Sequence, residues 1–240
     1  MKVKFLPIRI FAILLFLPFS GSGQNNSYQA LHKNNSYNHA ASLESLHFQQ
    51  IRQGKQYQYF YPNIKGHQYW DRPIYKIGVL SFEGITYHDV LLNYDSYNNL
   101  VMTAIVQNGL TRNIILDNSR IDEFRINNQN FVNIRDSTSL LTLGFYILVF
   151  QGTEVQYLIK SQKSVVGNTG RRGEPLKKFV AKESNILLVN GEIHIIKNKK
   201  DVMEAFSNRP QLVAFIGSSK LRFKQKNQMT SSLLVILGEL

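Results

Sequence analysis

The sequence predicts a mainly β fold, an antiparallel meander that forms a barrel or a two-layer sandwich and is followed by two short C-terminal helices. Three observations support this prediction. Apolar and polar side chains alternate from about residue 74 to residue 196. Turn residues, mostly Asn, Gly and Asp, recur about every ten residues in this stretch. No long amphipathic helical pattern interrupts it, which favours a meander over alternating strands and helices.

The first 23 residues are typical of a secretory signal peptide. Residues 1–9 carry three positive charges, and residues 10–19 are almost wholly apolar. The small residues 20–23 follow, as a signal peptidase requires, and the apolar run is shorter than the roughly 20 residues of a spanning helix. The sequence therefore predicts export, with a mature chain that begins near Gln24.

The other interpretation of this segment is an N-terminal membrane anchor, but Pro18 and the Gly-Ser residues after it would end a helix early.

The chain has no cysteine, which excludes both disulfides and lipid attachment through a cysteine after the signal. No later apolar run has the length of a transmembrane helix, so none is expected in the mature chain. We expect an exported protein that is periplasmic, outer-membrane-associated or extracellular, and not a lipoprotein.

The mature chain divides into a leader and one domain. Residues 24–40 are polar and Asn-rich, and the tetrapeptide NNSY occurs there twice, which indicates a flexible leader. Residues 41–240 are expected to form a single β-rich domain with a helical C-terminal tail.

The strands of this domain are predicted from runs that end at turn residues. The Asn-Gly pair at 108–109 is the strongest short hairpin signal in the chain, because both central residues of a type I′ turn need positive φ. Further turns are expected at 83–84, 95–99, 127–129 and 190–191. The predicted strands are 77–80, 85–94, 100–106, 114–116, 121–126, 131–134, 144–152, 155–159, 185–189 and 192–197.

Helical spacing appears only at the end of the chain. In residues 197–208, Val202, Ala205 and Phe206 share one face, and Asp201 lies near the start of the helix.

A second short helix is expected to begin at Pro210, which is tolerated in a first turn, and to end at Gly217. Residues 220–226 alternate again and predict either an exposed edge strand or a helix with a charged face. Residues 233–237 predict either a buried strand or the core face of a helix.

The positive charge of the chain is concentrated in its C-terminal third. The formal charge is +12, yet residues 24–159 hold ten basic and ten acidic side chains. Residues 160–240 hold fifteen basic and six acidic side chains, a net charge of +9. Such a surface attracts polyanions, and for an exported protein an anionic envelope component or an acidic glycan is expected rather than nucleic acid. The alternative is a solvated basic face without a dedicated partner.

Several segments in a fixed order resemble a set of uncharacterised exported proteins of Bacteroidetes. These segments are GKQYQYFYPNIKGHQYW, GVLSFEGITYHDVLLNYD, FRINNQNFVNI, GFYILVFQG and IHIIKNKKDVMEAF, within residues 50–226. In that family an aromatic Gly-His motif precedes a β-meander and a short helical tail follows. The resemblance implies the fold and the export, and it implies no activity. The final MTSSLLVILGEL departs from the family's pattern.

The aromatic stretch has two interpretations. Exposed rings could stack on sugars, and Tyr57, Tyr59 and Tyr61 alternate as they would on one face of an extended segment. Alternatively, the rings cover one open end of the β-layer and join the N-terminal segment to the meander, which is the interpretation we favour. The candidate ligand-binding residues are Tyr57, Tyr59, Tyr61, His67, Tyr69 and Trp70.

A second candidate site binds anions. Residues 165–178 resemble a long flexible hairpin loop and lack the spacing of a phosphate-binding loop. Its basic side chains are expected to face solvent and to bind a phosphate or sulfate: Arg171, Arg172, Lys177 and Lys178.

No motif predicts catalysis, a metal or a cofactor. The six histidines form no recognised metal or nucleophile motif, and His67 with Asp71 is the better of two weak acid–base candidates. We therefore expect a non-enzymatic envelope protein that binds or scaffolds a partner, an envelope protein among the possibilities, through its basic C-terminal surface. A glycan-binding module that uses the aromatic stretch is the second hypothesis, and a hydrolase with an unrecognised site is the third.

Overall fold

A computed structural model describes residues 51, 53–59, 61–107, 109–136, 138, 140–169, 175–223 and 225–240. The predicted signal peptide (1–23), the predicted leader (24–40) and the predicted start of the domain at residue 41 lie outside the described residues. Within the described residues, no helix is both long enough and apolar enough to span a bilayer.

The described chain is built on one antiparallel sheet of eleven strands, in the order β1-β5-β4-β3-β2-β6-β7-β8-β9-β10-β11. The mainly β, antiparallel prediction is therefore confirmed. The sheet does not close into a barrel, because β1 and β11 form its two edges. The strands are β1 (Lys55–Gln56), β2 (Lys76–Phe82), β3 (Ile85–Asp95), β4 (Leu100–Gln107), β5 (Leu110–Ile115), β6 (Ile121–Ile126), β7 (Gln129–Ile134), β8 (Gly144–Gln151), β9 (Val155–Thr169), β10 (Pro175–Val189) and β11 (Glu192–Ile196).

The sheet consists of two meanders that run outward from a central pair of strands. β2 pairs with β6 in the middle, where Leu80 lies opposite Phe124. The strands β2 to β5 follow one another to one edge, where β1 pairs with β5, and β6 to β11 follow one another to the other edge. The residues before β2 therefore have to return across the first meander to reach its edge.

The predicted hairpin turns are confirmed by their backbone angles. Asn127 and Asn128 have φ of 50° and 60°, and Asn190 and Gly191 have φ of 50° and 83°. Positive φ at both central residues is the type I′ geometry that suits the twist of a hairpin, and Asn and Gly tolerate it best. Gln107 pairs with Leu110 and Gly109 has φ of 74°, so β4 and β5 form the predicted hairpin.

The main core covers one face of the sheet. Four rings meet in it, with Phe124 stacked on Phe131 at 4.6 Å between centroids and Tyr94 edge-on to Phe145 at 5.7 Å. All four are almost completely buried. The side chains at alternate strand positions enter this core because successive residues of a strand point to opposite faces.

A smaller apolar cluster covers part of the other face. It contains Leu141, Tyr146, Leu158 and Ile186. Leu158 lies between Tyr157 and Ile159 in β9, and those two side chains enter the main core, so the two clusters lie on opposite faces of the same strands.

Three helices follow the sheet, where the sequence predicted two. They are α1 (Lys199–Ala205), α2 (Pro210–Ser218) and α3 (Lys226–Leu237). A capping box between Asn198 and Asp201 fixes the start of α1, and Pro210 occupies the first turn of α2 as predicted. Gly217 lies inside α2 instead of ending it, because the helix continues to Ser218.

The third helix resolves one of the two segments that the sequence left open, residues 233–237. The prediction of an edge strand or a helix over 220–226 is wrong, because residues 220–223 and 225 belong to neither and only Lys226 lies in α3. Met229, Leu233, Ile236 and Leu237 are buried, whereas Leu234 and Val235 are exposed. This spacing of three and four residues places one face of α3 in the main core, so the apolar run at 233–237 is the core face of a helix and not a strand.

Candidate functional site

The aromatic stretch crosses from one edge of the sheet to a distant strand. We call residues 57–59 and 61–70 the strap. At its start, Tyr57 N donates to Asn113 O in β5 (2.8 Å), and at its end Trp70 N donates to Tyr94 O in β3 (2.9 Å). Between these points Lys65 pairs in parallel with Lys178 of β10. The strap therefore joins parts of both meanders.

The second half of the β9–β10 hairpin extends past the neighbouring strands. Residues 161–169 and 175–183 pair with each other, whereas β8 pairs only with residues 156–159 of β9 and β11 only with residues 185–189 of β10. We call residues 161–169 and 175–183 the arm. The prediction of a flexible loop over 165–178 is wrong for 165–169 and 175–178, which are paired strand, because the hairpin ladder continues through them.

The arm is held on both of its edges. On the β9 edge Lys163 N donates to Ser96 O (3.2 Å) in the β3–β4 turn. On the β10 edge Lys65 N of the strap donates to Lys177 O (2.9 Å), and Phe179 N donates to Lys65 O (3.0 Å). These bonds satisfy strand edges that would otherwise remain open, and they fix the arm relative to the strap.

A buried carboxylate anchors the two ends of the strap. Asp95 is completely buried and accepts hydrogen bonds from Tyr97 N (3.0 Å), Asn98 N (2.9 Å), Asn98 Nδ2 (2.8 Å) and Tyr57 Oη (3.0 Å). Gln68 Nε2, from the far end of the strap, donates to the same Tyr57 Oη (2.5 Å). Burial raises the pKa of Tyr57 above its usual value, and Asp95 adds to that rise, so the phenol stays protonated and donates.

The last residues of the strap also face inward. Trp70 packs edge-on against Phe131 at 5.0 Å between centroids. The Tyr69 ring lies 6.3 Å from Tyr57, and burial raises the pKa of Tyr69. Trp70 thus extends the main core, and Tyr69 lies half-buried against Tyr57, so the two rings do not form an exposed row.

His67 contacts a lysine of the arm. Lys163 Nζ lies 3.0 Å from His67 Nδ1 and donates to His67 O (2.7 Å). Burial lowers the pKa of His67, and the Lys163 ammonium lowers it further, so the imidazole is neutral and its Nδ1 accepts. Asp71 Oδ2 accepts from Asn127 Nδ2 (2.9 Å) and has no hydrogen bond to His67 within the described residues. The contact of His67 is therefore a structural link between strap and arm.

Four half-buried or exposed rings form a surface group, which we call the aromatic cluster: Tyr59, Tyr61, Tyr97 and Phe179. Tyr61, Tyr97 and Phe179 lie mutually edge-to-face at 5.3 to 5.5 Å between centroids, and Tyr59 lies 6.5 Å from Tyr61. Tyr61 Oη donates to Asn98 Oδ1 (3.0 Å), and Tyr59 Oη donates to Tyr61 O (3.1 Å). The cluster is thus held in one arrangement although it lies at the surface.

The strap does not place its three alternating tyrosines on one face. Tyr57 is 8% exposed and Tyr59 is 51% exposed. Strand β1 ends at Gln56, so the two-residue period of a strand does not extend to these positions. Tyr97 and Phe179, which complete the aromatic cluster, were missed by the sequence reasoning because they belong to a turn and a strand far from the aromatic stretch in the chain.

The arm carries exposed lysines next to this cluster. Lys177, Lys178 and Lys182 are exposed, and in the described part of the chain none of them forms an ion pair. Lys177 shares a face with Phe179, whereas Lys178 and Lys182 point to the opposite face. Arg171 and Arg172, the other two predicted anion-binding residues, lie outside the described residues.

A further group of cations lines a cleft of about 760 Å³ beside α1, among them Lys197, Lys199 and Arg222. Lys199 Nζ is already bonded to the carbonyl oxygens of Gly217 and Ser219, both at 2.9 Å, so its charge closes the end of α2. Lys199 is therefore less available to a ligand than the exposed lysines of the arm. The cations at this end of the chain serve as a comparison for those of the arm.

No protein-family model, curated protein or solved structure matches this chain. The described residues contain no group of three or more His, Asp or Glu side chains that could hold a metal ion. The function therefore has to be inferred from the geometry of the strap, the arm and the aromatic cluster.

Proposed function

We propose that this chain is an exported, non-enzymatic protein of the cell envelope that binds an anionic partner through its basic C-terminal third, with the arm as the binding surface. The observation that carries the proposal is the set of three exposed lysines on the arm without ion pairs. Their charges are not consumed by carboxylates of the described chain, so they are free to attract a polyanion.

The attachment of the arm supports a binding role. A flexible basic loop would lose conformational entropy when it meets a partner, and this loss would weaken binding. The backbone bonds from Ser96 and Lys65 hold both edges of the arm, so its lysines start from a defined position. The location, whether periplasmic, outer-membrane-associated or extracellular, follows from the predicted signal peptide.

The test compares two sets of lysines that remove equal charge. The arm variant is Lys177→Gln, Lys178→Gln and Lys182→Gln, and the control variant is Lys197→Gln, Lys200→Gln and Lys220→Gln at the helical end. Binding to anionic polysaccharide and to vesicles containing anionic lipid is measured at several salt concentrations. We expect the arm variant to bind about tenfold more weakly, with a shallower salt dependence.

The control variant should keep most of the affinity. Equal losses in both variants would show that net charge alone drives binding and would overturn the arm as the binding surface. No binding of the unsubstituted protein to any anionic probe would overturn the proposal as a whole.

A glycan-binding module is the second candidate function. The observation that favours it is the aromatic cluster, whose Tyr59 ring is half exposed and held at the surface by a hydrogen bond to Tyr61 O. Rings that are exposed and fixed can stack on sugar rings at little entropic cost.

A further inference from the structure

The two faces of the arm have different chemistry. Alternate residues of a strand share a face, so Lys177 and Phe179 lie on the face that meets the strap. Lys178 and Lys182 lie on the other face, together with Val180. The aromatic cluster therefore lies on the same face of the arm as Lys177, whereas Lys178 and Lys182 lie on the opposite face.

The face that carries the aromatic cluster has open space beside its lysine. Gly167 lies directly opposite Lys177 in the β9–β10 ladder. A Cβ atom placed on Gly167 would meet no other atom within 4 Å. This position leaves room next to Phe179 and Lys177 for a ligand ring, because no side chain of the described residues fills it.

The strap supports the cluster from behind. Gly66 has φ of 90°, a conformation that favours glycine, and a Cβ there would contact Phe179 Cβ at 3.8 Å. This turn brings the backbone of the strap close to the arm, and Tyr61 then meets Phe179 edge-on at 5.5 Å. The arrangement of rings is therefore set by the backbone of two elements and not by surface side chains alone.

We propose that the face of the arm bearing Phe179 and Lys177 binds an acidic glycan, with its sugar rings on the aromatic cluster and a carboxylate or sulfate on Lys177. The inference rests on the proposed function, since it names the ligand and the face for the same arm. A bare phosphate would need the lysine and not the rings, and a neutral sugar would need the rings and not the lysine. A ligand that carries both sugar rings and a negative charge would contact both the aromatic cluster and Lys177.

Single-stranded nucleic acid also combines flat rings with negative charge. The predicted export favours a glycan, so the nucleic acid becomes a competitor in the experiment. The probes are an oligogalacturonate, a neutral galactose oligomer of the same length, a single-stranded oligonucleotide and vesicles of phosphatidylglycerol. Binding is measured by titration calorimetry at 0.15 M salt, where exposed charges more than about 8 Å apart are largely screened.

The decisive comparison is between two adjacent lysines. Lys177→Gln should weaken oligogalacturonate binding about tenfold, whereas Lys178→Gln should change it less than about twofold, because only Lys177 faces the rings. Tyr59→Ala should weaken it about fivefold, and Tyr59→Phe, which keeps the ring, should not.

Gly167→Leu provides an independent steric test. The leucine occupies the open space beside Lys177 and should abolish measurable binding while the thermal unfolding midpoint stays close to that of the unsubstituted protein. Gly167→Ala serves as its smaller counterpart and should keep most of the affinity.

The outcomes separate this inference from the proposed function. If Lys177→Gln and Lys178→Gln weaken oligogalacturonate equally and Tyr59→Ala has no effect, the arm binds by charge alone and the inference is overturned while the proposed function stands. Tighter binding of the oligonucleotide or of the vesicles than of the oligogalacturonate also overturns it. If no probe binds the arm, both are overturned.

Discussion

Tyr57 and Tyr59 are two residues apart in the same aromatic run, yet the fold uses them in opposite ways. Tyr57 is buried and joins Gln68 to Asp95, whereas Tyr59 is 51% exposed and lies against Tyr61 at the surface. An aromatic run is therefore a single feature of the sequence with two physical roles. The buried Tyr57 attaches the strap to the sheet, and this attachment fixes the position of the exposed Tyr59.

The largest effect should come from the carboxylate below the strap. Asp95→Ala leaves the buried Tyr57 hydroxyl and the part-buried donors of Tyr97 and Asn98 without an acceptor. It should lower the free energy of unfolding by about 3 kcal/mol, since an unsatisfied buried donor costs about 1–3 kcal/mol. Urea denaturation measures this loss. Asp89→Asn, at an exposed carboxylate, is the control and should change stability little. A loss of unfolding free energy in Asp95→Ala no larger than in Asp89→Asn would contradict the role of Asp95 as the anchor of the strap.

A smaller effect distinguishes the two tyrosines directly. Tyr57→Phe removes the hydroxyl that bonds Asp95 and Gln68, and we expect a loss of about 1 kcal/mol in the free energy of unfolding. Tyr59→Phe removes a hydroxyl at the surface and should change it by less than about 0.5 kcal/mol. Both variants keep the ring, so the comparison isolates the hydrogen bonds. Equal losses would mean that both tyrosines belong to the anchor.

The smallest effect depends on pH and concerns the contact between strap and arm. His67 is half-buried, and its folded pKa lies below the unfolded value of about 6.5, first because of burial and then because of Lys163. The folded state therefore binds fewer protons on His67 than the unfolded state. Its contribution to stability is full above pH 6.5 and decreases as the pH falls below that value.

Denaturation curves between pH 8 and pH 5 test this direction. The unsubstituted protein should lose more stability over this range than His67→Gln, which keeps an acceptor and does not titrate. Asp71 opposes the effect of Lys163 on the imidazole, so Asp71→Asn should make the pH dependence steeper. An identical pH dependence in the unsubstituted protein and in His67→Gln would show that the contact does not contribute.

The parts of the fold that depend on neighbours in the chain were predictable. The Asn-Asn pair at 127–128 and the Asn-Gly pair at 190–191 specify their turns by the backbone angles that these residues tolerate. The capping box of α1 is equally local, since Asn198 and Asp201 satisfy the first amides of the helix themselves.

The parts that depend on distant contacts were not predictable. The helix α3 has Ser, Thr and a run of consecutive apolar residues, and only the main core decides which of them are buried. The sequence of the arm predicts a loop because it is basic and contains Gly, but its two strands pair with each other and are bonded on their outer edges by Lys65 and Ser96. The aromatic cluster needs Phe179 beside Tyr61, a contact that no spacing in the sequence indicates.

The strap has a consequence for the order in which the chain folds. His67 and Lys163 are 96 residues apart in sequence, and ribosomes make a protein from its N-terminus. The contacts of the strap with the arm must therefore wait until β9 and β10 have emerged and paired. Contacts of such long sequence separation form late, because the intervening chain must first be ordered. The aromatic cluster, which needs Phe179 of β10 beside Tyr61 of the strap, is thus completed only after the arm has formed.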